Sequence, residues 1–215
     1  MSESSQKSRK VVVRKAPSQS RSKEKVQNIL AAAKSLLASE GLEKLTTNRI
    51  AKLAGLSIGS LYQYFPNKQA IIHQLYSDWL QSVRELLREY QASDLEGETP
   101  VSIMQTMMDQ IYRPHDLDPE ESRYEAELNK AMHLYPELQA IDHRHARQIA
   151  GILADILRKT GVVATDDVLF QLGLYSYELY GSYEAMLQHE GTSPGLIYEW
   201  QKQGLFSIIE SYTKK

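Results

Sequence analysis

Ile58, Gly59, Ser60, Tyr62, Gln63 and Tyr64 fall within one short stretch and combine hydrogen-bonding groups with almost no charge. An ordinary solvated helix face would carry Lys and Glu. A face of hydroxyls, one carboxamide and a glycine instead suits a surface that is itself polar and already charged, such as the major groove of DNA. The Gln63 amide matches the paired donor and acceptor on an adenine edge, and Ile58 offers apolar contact to a thymine methyl. Ser60 and Tyr62 have the reach for bases or backbone, and Gly59 allows the helix to approach closely. For each of these residues, a phosphate or water contact carrying no sequence information is the competing reading.

Such a face works only if its helix is held firmly. Between Leu45 and Lys68 the sequence predicts two helices of about two turns each, joined by Ala54-Gly55-Leu56. Thr46 and Ser57 stand where N-caps belong, each hydroxyl able to accept from a backbone N–H that lacks a partner in the first turn. Gly55 supplies the positive φ of the turn. Ile50, Ala51, Leu53 and Ala54 are expected to face inward from the first helix, and Leu56, Leu61 and Phe65 from the second. Pro66 ends the second helix, since proline disfavours helical backbone at the residue before it. Asn67 then caps a helix running to about Tyr90 with Ile71, Ile72, Leu75, Trp79, Leu80, Val83, Leu86 and Leu87 inward. Its N-terminus, with Lys68, makes an anion site suited to a DNA phosphate, and Thr47 stands ready as a further anchor. Upstream, Val26, Ile29, Leu30, Ala33, Leu36 and Leu37 predict a helix from about Arg21 to Ser39, stopped by Gly41.

IAKLAGLSIGSLYQYFPNK, preceded by an arm ending KAPSQSRS and by ILAAAKSLLASEGLEKLTT, closely resembles the DNA-binding end of the tetracycline-repressor (TetR) family of bacterial one-component regulators. The resemblance covers roughly Pro17 to Leu87 without insertion; beyond about Tyr90 no motif stands out. It implies an all-α fold, a helix-turn-helix DNA-binding domain followed by a helical ligand-binding and dimerisation bundle. It assigns backbone-holding roles to Lys68 and Tyr64. It further implies a homodimer on a palindromic double-stranded operator, released by a small-molecule effector. Activation, or ligand-independent DNA binding by an architectural protein, remain the alternatives.

Charge divides along the chain in keeping with that picture. The net charge of −2 conceals fifteen Lys and Arg against seven Asp and Glu in residues 1–90, and ten against twenty in residues 91–215. A basic end that faces a polyanion and an acidic end kept away from it is the natural interpretation. Residues 1–20 read as a basic arm too polar to pack alone; Arg9, Lys10, Arg14, Lys15 and Arg21 are candidates for phosphate or minor-groove contacts. Residues 21–68 form the expected DNA-binding domain, 69–90 a connecting helix and 91–215 the second domain. The chain has no cysteine, which removes disulfides and thiolate chemistry and fits a reducing cytoplasm, with nucleoid association when bound to DNA. It has neither a run of about 18 apolar residues nor an apolar signal core.

Beyond the linker QASDLEGETP, helical periodicity persists over about Val101–Tyr112, Pro119–Leu134, Pro136–Lys159, Asp166–His189 and Pro194–Tyr212, with a stop at Pro114. Met104, Met107, Met108, Tyr112, Tyr124, Met132, Tyr135, Tyr175, Tyr177 and Tyr180 are candidate pocket residues for an apolar or aromatic ligand with a polar handle; plain core is the competing reading. Leu169, Leu172, Leu179, Met186 and Leu187, with Leu196, Ile197, Trp200, Leu205, Ile208 and Ile209, give the last two helices more apolar surface than one bundle requires. By the resemblance, these helices pair with their copies in a second subunit; closure of the chain's own bundle is the competing reading. His133, His143 and His145 are expected to be solvent-exposed, because His143 and His145, two apart on a helix, share no face and leave a metal without ligands. No cofactor is expected. The absence of a Gly-rich phosphate loop, a G-x-S-x-G elbow and an H-E-x-x-H pair argues against an enzyme.

Overall fold

A computed structural model describes residues 20–112, 119–187 and 189–213. The arm residues Arg9, Lys10, Arg14 and Lys15 and the stop at Pro114 lie outside them. Within the described residues the chain is helical: α1 Ser20–Glu40, α2 Thr47–Leu53, α3 Ile58–Tyr64, α4 Lys68–Ala92, α5 Pro100–Tyr112, α6 Pro119–Leu134, α7 Pro136–Lys159, α8 Asp166–Leu187 and α9 Pro194–Ser211. None of these helices is long and apolar enough to cross a membrane. The chain divides into two compact units, one of residues up to Asp78 together with Arg123–Leu134, the other of Trp79–Ser122 and the residues from Tyr135 onward. The division falls inside α4, a single helix of 25 residues, and inside α6.

The first unit closes on Ile29, Ala33 and Leu37 of α1, Ile50 of α2, Leu61 of α3, Phe65, and Ile71 and Ile72 of α4, all at most 1% exposed. Part of α6 belongs to this unit: Glu127 accepts the Leu42 N–H at 2.7 Å in the α1–α2 turn, and Lys34 of α1 lies over the Tyr124 ring. Tyr124 and Met132, expected to line a pocket with the other Met and Tyr residues, therefore sit in the unit that carries α2 and α3. A 3.6-residue periodicity reports which side of a helix is buried, not which neighbour buries it.

In the second unit α7 and α8 pack with a close approach at Gly173, where an added β-carbon would fall 2.4 Å from the Ala150 carbonyl oxygen. The C-terminal end of α9 is tied down where Val163 N–H donates to the Tyr212 carbonyl at 2.8 Å. Met104, Met107, Met108 and Tyr112 of α5 are core residues. Tyr112 meets Tyr180 edge-on, with ring centroids 5.2 Å apart, and also packs on Tyr183 and Tyr198. Such edge contacts add about 1 kcal/mol each to simple burial. Tyr177 and Tyr180 are half-buried against the same core, whereas Tyr175 is exposed.

His143 and His133 are exposed, but His145 is 3% exposed, correcting the expectation for that residue. Lying two residues from His143 on α7 puts it on the opposite, inward side, with Ile149 and Ile152. Burial, and secondarily the Arg84 charge, lower its pKa from 6.5 to about 4, with Asp142 opposing them. The folded state thus disfavours the proton that the unfolded chain takes up near pH 6.5. Stability is complete above that pH and falls as pH drops toward 4, by on the order of 2 kcal/mol at pH 5. Urea unfolding at pH 7 and pH 5 checks this: the loss should shrink in His145→Gln, and an equal loss in both proteins would remove His145 as its source.

Candidate nucleic-acid interface

The two short helices are set by local chemistry. Thr46 accepts from the Arg49 N–H at 3.3 Å and caps α2; Ser57 accepts from the Ser60 N–H at 3.2 Å and caps α3. Between them Gly55 takes φ +67°. Its N–H reaches the Lys52 carbonyl at 3.3 Å while Leu56 N–H reaches that of Ala51 at 2.9 Å. This paired bonding ends α2 with its last carbonyls satisfied, and it needs the left-handed residue that glycine supplies. Phe65 is extended, φ −121°, ahead of Pro66, and Asn67 Oδ1 caps α4 by accepting the Ala70 N–H at 2.8 Å.

What α3 presents outward is Ile58, Gly59, Tyr62 and Gln63, all exposed, with Ser60 half-exposed. A β-carbon at Gly59 would meet nothing within 4 Å, so this side of the helix opens directly to an approaching surface. Tyr62 and Thr47 share a hydrogen bond of 3.1 Å between their hydroxyls, joining the start of α2 to the exposed side of α3. Ser57 donates to Ser60 Oγ at 3.1 Å, so these two hydroxyls serve the cap as well as any partner. Lys68, half-buried at the start of α4, donates to the Leu42 carbonyl at 3.3 Å. Leu42 is thereby held through both its backbone groups, by Lys68 and by Glu127. Arg49, a further cation of α2, is paired with Glu40, whose carboxyl it holds below the usual carboxylate range.

Two residues depart from the expected faces. Tyr64 is 6% exposed rather than outward-facing: three residues after Leu61, it shares that residue's buried side. Leu53 is 55% exposed rather than inward. Ile50, Ala51 and Ala54 define the inward arc of α2, and Leu53 lies about 100° from its centre. The exposed Leu53 adds apolar surface at the end of α2 that sequence reasoning missed; its being off that arc was the available signal.

Lys68 and Gln63 differ in what they can contribute to binding a nucleic acid. Lys68→Ala should weaken binding to every duplex and lower the salt slope by about one. Gln63→Ala should leave nonspecific affinity alone and relax preference at one base position, at a cost of about 1–3 kcal/mol on the preferred site. Fluorescence anisotropy on specific and scrambled duplexes between low and moderate salt separates the two effects. Unchanged nonspecific affinity in Lys68→Ala would remove it as a phosphate contact.

Residues 29–75 match the family described as bacterial regulatory proteins, tetR family. The nucleoid occlusion factor SlmA of Haemophilus ducreyi is 38% identical over 69 residues, which are 32% of this chain and 32% of that protein. The chain thus aligns with about a third of the length of this curated relative. Over nearly the whole fold, the chain is similar to a TetR-family transcriptional regulator from Mesorhizobium loti, with TM-score 0.67, 17% identity and coverage of 91% and 100% of the two chains. It is also similar to FadR of Thermus thermophilus, a TetR-family transcriptional repressor solved with lauroyl-CoA, with TM-score 0.59, 21% identity and coverage of 88% and 95%.

Proposed function

We propose that this chain, which belongs to the tetR family of bacterial regulatory proteins through its residues 29–75, is a dimeric repressor that a small molecule releases from a palindromic DNA site. The observation that carries the reading is the outer side of α3. It is uncharged and rich in hydrogen-bonding groups, it is open at Gly59, and α3 is fixed by the Ser57 cap and the Gly55 turn. A helix built this way enters a major groove with Tyr62, Gln63 and Ile58 at the base edges. Thr47, Lys68 and the capped start of α4 lie on the flanking phosphates. Tyr64, being buried, supports α3 from beneath.

One seven-residue helix makes a small interface, so useful specificity calls for two copies on a symmetric site. The means of pairing is exposed on the last two helices. Leu196, Trp200 and Ile208 occupy the outward side of α9 at helical spacing, and Tyr175 and Met186 are exposed on α8. Leu169, Leu172, Ile197, Leu205 and Ile209, by contrast, are used up in the chain's own core. Trp200, 62% exposed, is the natural anchor of the isologous contact. Trp200→Glu should weaken the dimer by at least about 100-fold, seen as monomer in sedimentation velocity at low micromolar protein with the thermal transition retained. A dimer of unchanged affinity would place the contact elsewhere.

The effector domain is the unit of Trp79–Ser122 and the residues from Tyr135 onward, with its Met- and Tyr-rich interior. Because α4 runs from Lys68 into that unit, displacement of its far end by a ligand shifts Lys68 and α3, and so the spacing of the two recognition helices. That a repressor of the same fold is solved with lauroyl-CoA supports a ligand-responsive reading. A ligand-independent DNA-binding protein is the second reading, favoured by the similarity over 69 residues to a nucleoid occlusion factor. A metabolite panel read by thermal shift and by DNA release decides between them. The repressor reading requires one compound that both stabilises the protein and lowers DNA affinity, since the coupling is reciprocal. Stabilising compounds that leave DNA affinity unchanged would contradict it.

A further inference from the structure

Arg84 on α4, His145 on α7 and Tyr177 on α8 place a buried polar group inside the second unit. Neither ring nitrogen of His145 has a hydrogen-bond partner, and the buried Arg84 Nε has none. The rest of the cluster is fixed. Arg84 Nη1 donates to Gln148 Oε1 at 2.7 Å, Tyr177 donates to Asp142 Oδ1 at 2.6 Å, and the Tyr177 ring stands edge-on to the imidazole with centroids 5.7 Å apart. Buried donors and acceptors almost always have partners, because removing water from them without replacement costs more than a made bond returns. Unpartnered nitrogens on two helices therefore mark a place where a hydrogen-bonding group would be held.

Its chemistry follows from the donors. Arg84 Nε–H can only donate, and a neutral imidazole donates through one nitrogen while accepting through the other. A negatively charged oxygen group accepts from Arg84 Nε–H and from the imidazole N–H and balances the guanidinium, leaving the second ring nitrogen to accept from another donor. Tyr177 also packs against the core that holds Met104, Met107, Met108 and Tyr112, so the surroundings beyond the polar group are apolar and aromatic. We propose that Arg84 and His145 form the polar end of the effector site, and that the effector is a small apolar carboxylic acid bound as its anion. This rests on the reading of that unit as the effector domain.

The test uses the purified full chain and octanoate, decanoate, benzoate and phenylacetate at about 1 mM, each beside its primary amide, with inorganic phosphate as an anion control. At least one acid should raise the melting temperature while its amide and phosphate do not. Arg84→Met, and separately His145→Gln, should weaken that acid by about tenfold or more, and the His145 Cε1–H resonance should move on titration in the wild type. The proposal is overturned if no acid stabilises the protein, if amides or phosphate do so equally, or if both variants bind the acid normally. An acid held through Arg84 that leaves DNA affinity unaltered keeps this site and refutes the regulatory reading. A neutral compound that releases DNA while every acid is inert does the reverse.

Discussion

Gly59→Glu should eliminate specific DNA binding while leaving the fold as stable as before or slightly more so. Position 59 is the second residue of α3, and a side chain there enters open space, because nothing lies within 4 Å of the added β-carbon. Replacing a helical glycine gains about 0.5–1 kcal/mol, and an acidic group in the first turn is favoured by the helix dipole. On DNA the same carboxylate would meet phosphates and groove-edge acceptors at close range. The expected loss is at least about 100-fold, or roughly 3 kcal/mol. Anisotropy titration beside a thermal melt reads both quantities. Normal DNA affinity in a folded Gly59→Glu protein would show that this side of α3 does not face the duplex.

The second large effect concerns the packing of α7 on α8. In Gly173→Val the new β-carbon would lie 2.4 Å from the Ala150 carbonyl oxygen and 2.9 Å from its Cα. Both are backbone atoms inside a helix, so neither can swing aside, and the helices must separate along a face that carries much of the unit's core. Overpacking of this kind costs about 3 kcal/mol or more. Gly151→Ala is the matched control: its β-carbon meets nothing within 4 Å, and a helical alanine in place of glycine should gain up to about 1 kcal/mol. Urea unfolding of the two variants should move in opposite directions. Equal stability of Gly173→Val and the wild type would mean that the close approach is absent in solution.

What could be read from the sequence was what local chemistry decides. Thr46, Ser57 and Asn67 cap the helices they were expected to cap, and Gly55 makes the expected turn, because each depends on atoms within five residues. The helices from Pro119 to Leu134 and from Pro136 to Lys159 were bounded correctly because prolines mark them. Faces of two-turn helices were harder. Tyr64 shares the buried side of Leu61 three residues before it, and Leu53 lies off the arc of Ile50, Ala51 and Ala54. His145 is buried against expectation although its spacing to Ile149 and Ile152 marks the inward face; Arg84 and Tyr177, from distant parts of the chain, create its surroundings. The placement of Tyr124 and Met132 was likewise hidden, since it depends on Glu127 reaching Leu42 across 85 residues of sequence.

Specific recognition of a symmetric DNA site by α3 is the claim on which the functional account turns. Selection of bound duplexes from a random DNA pool, with the purified protein at near-physiological salt, tests it most directly. Recovery of an inverted repeat whose half-sites lie about one helical turn, or a small multiple of it, apart is expected, as is its loss from the Gly59→Glu protein. Recovery of no enriched sequence, or of one that Gly59→Glu selects equally well, would contradict it.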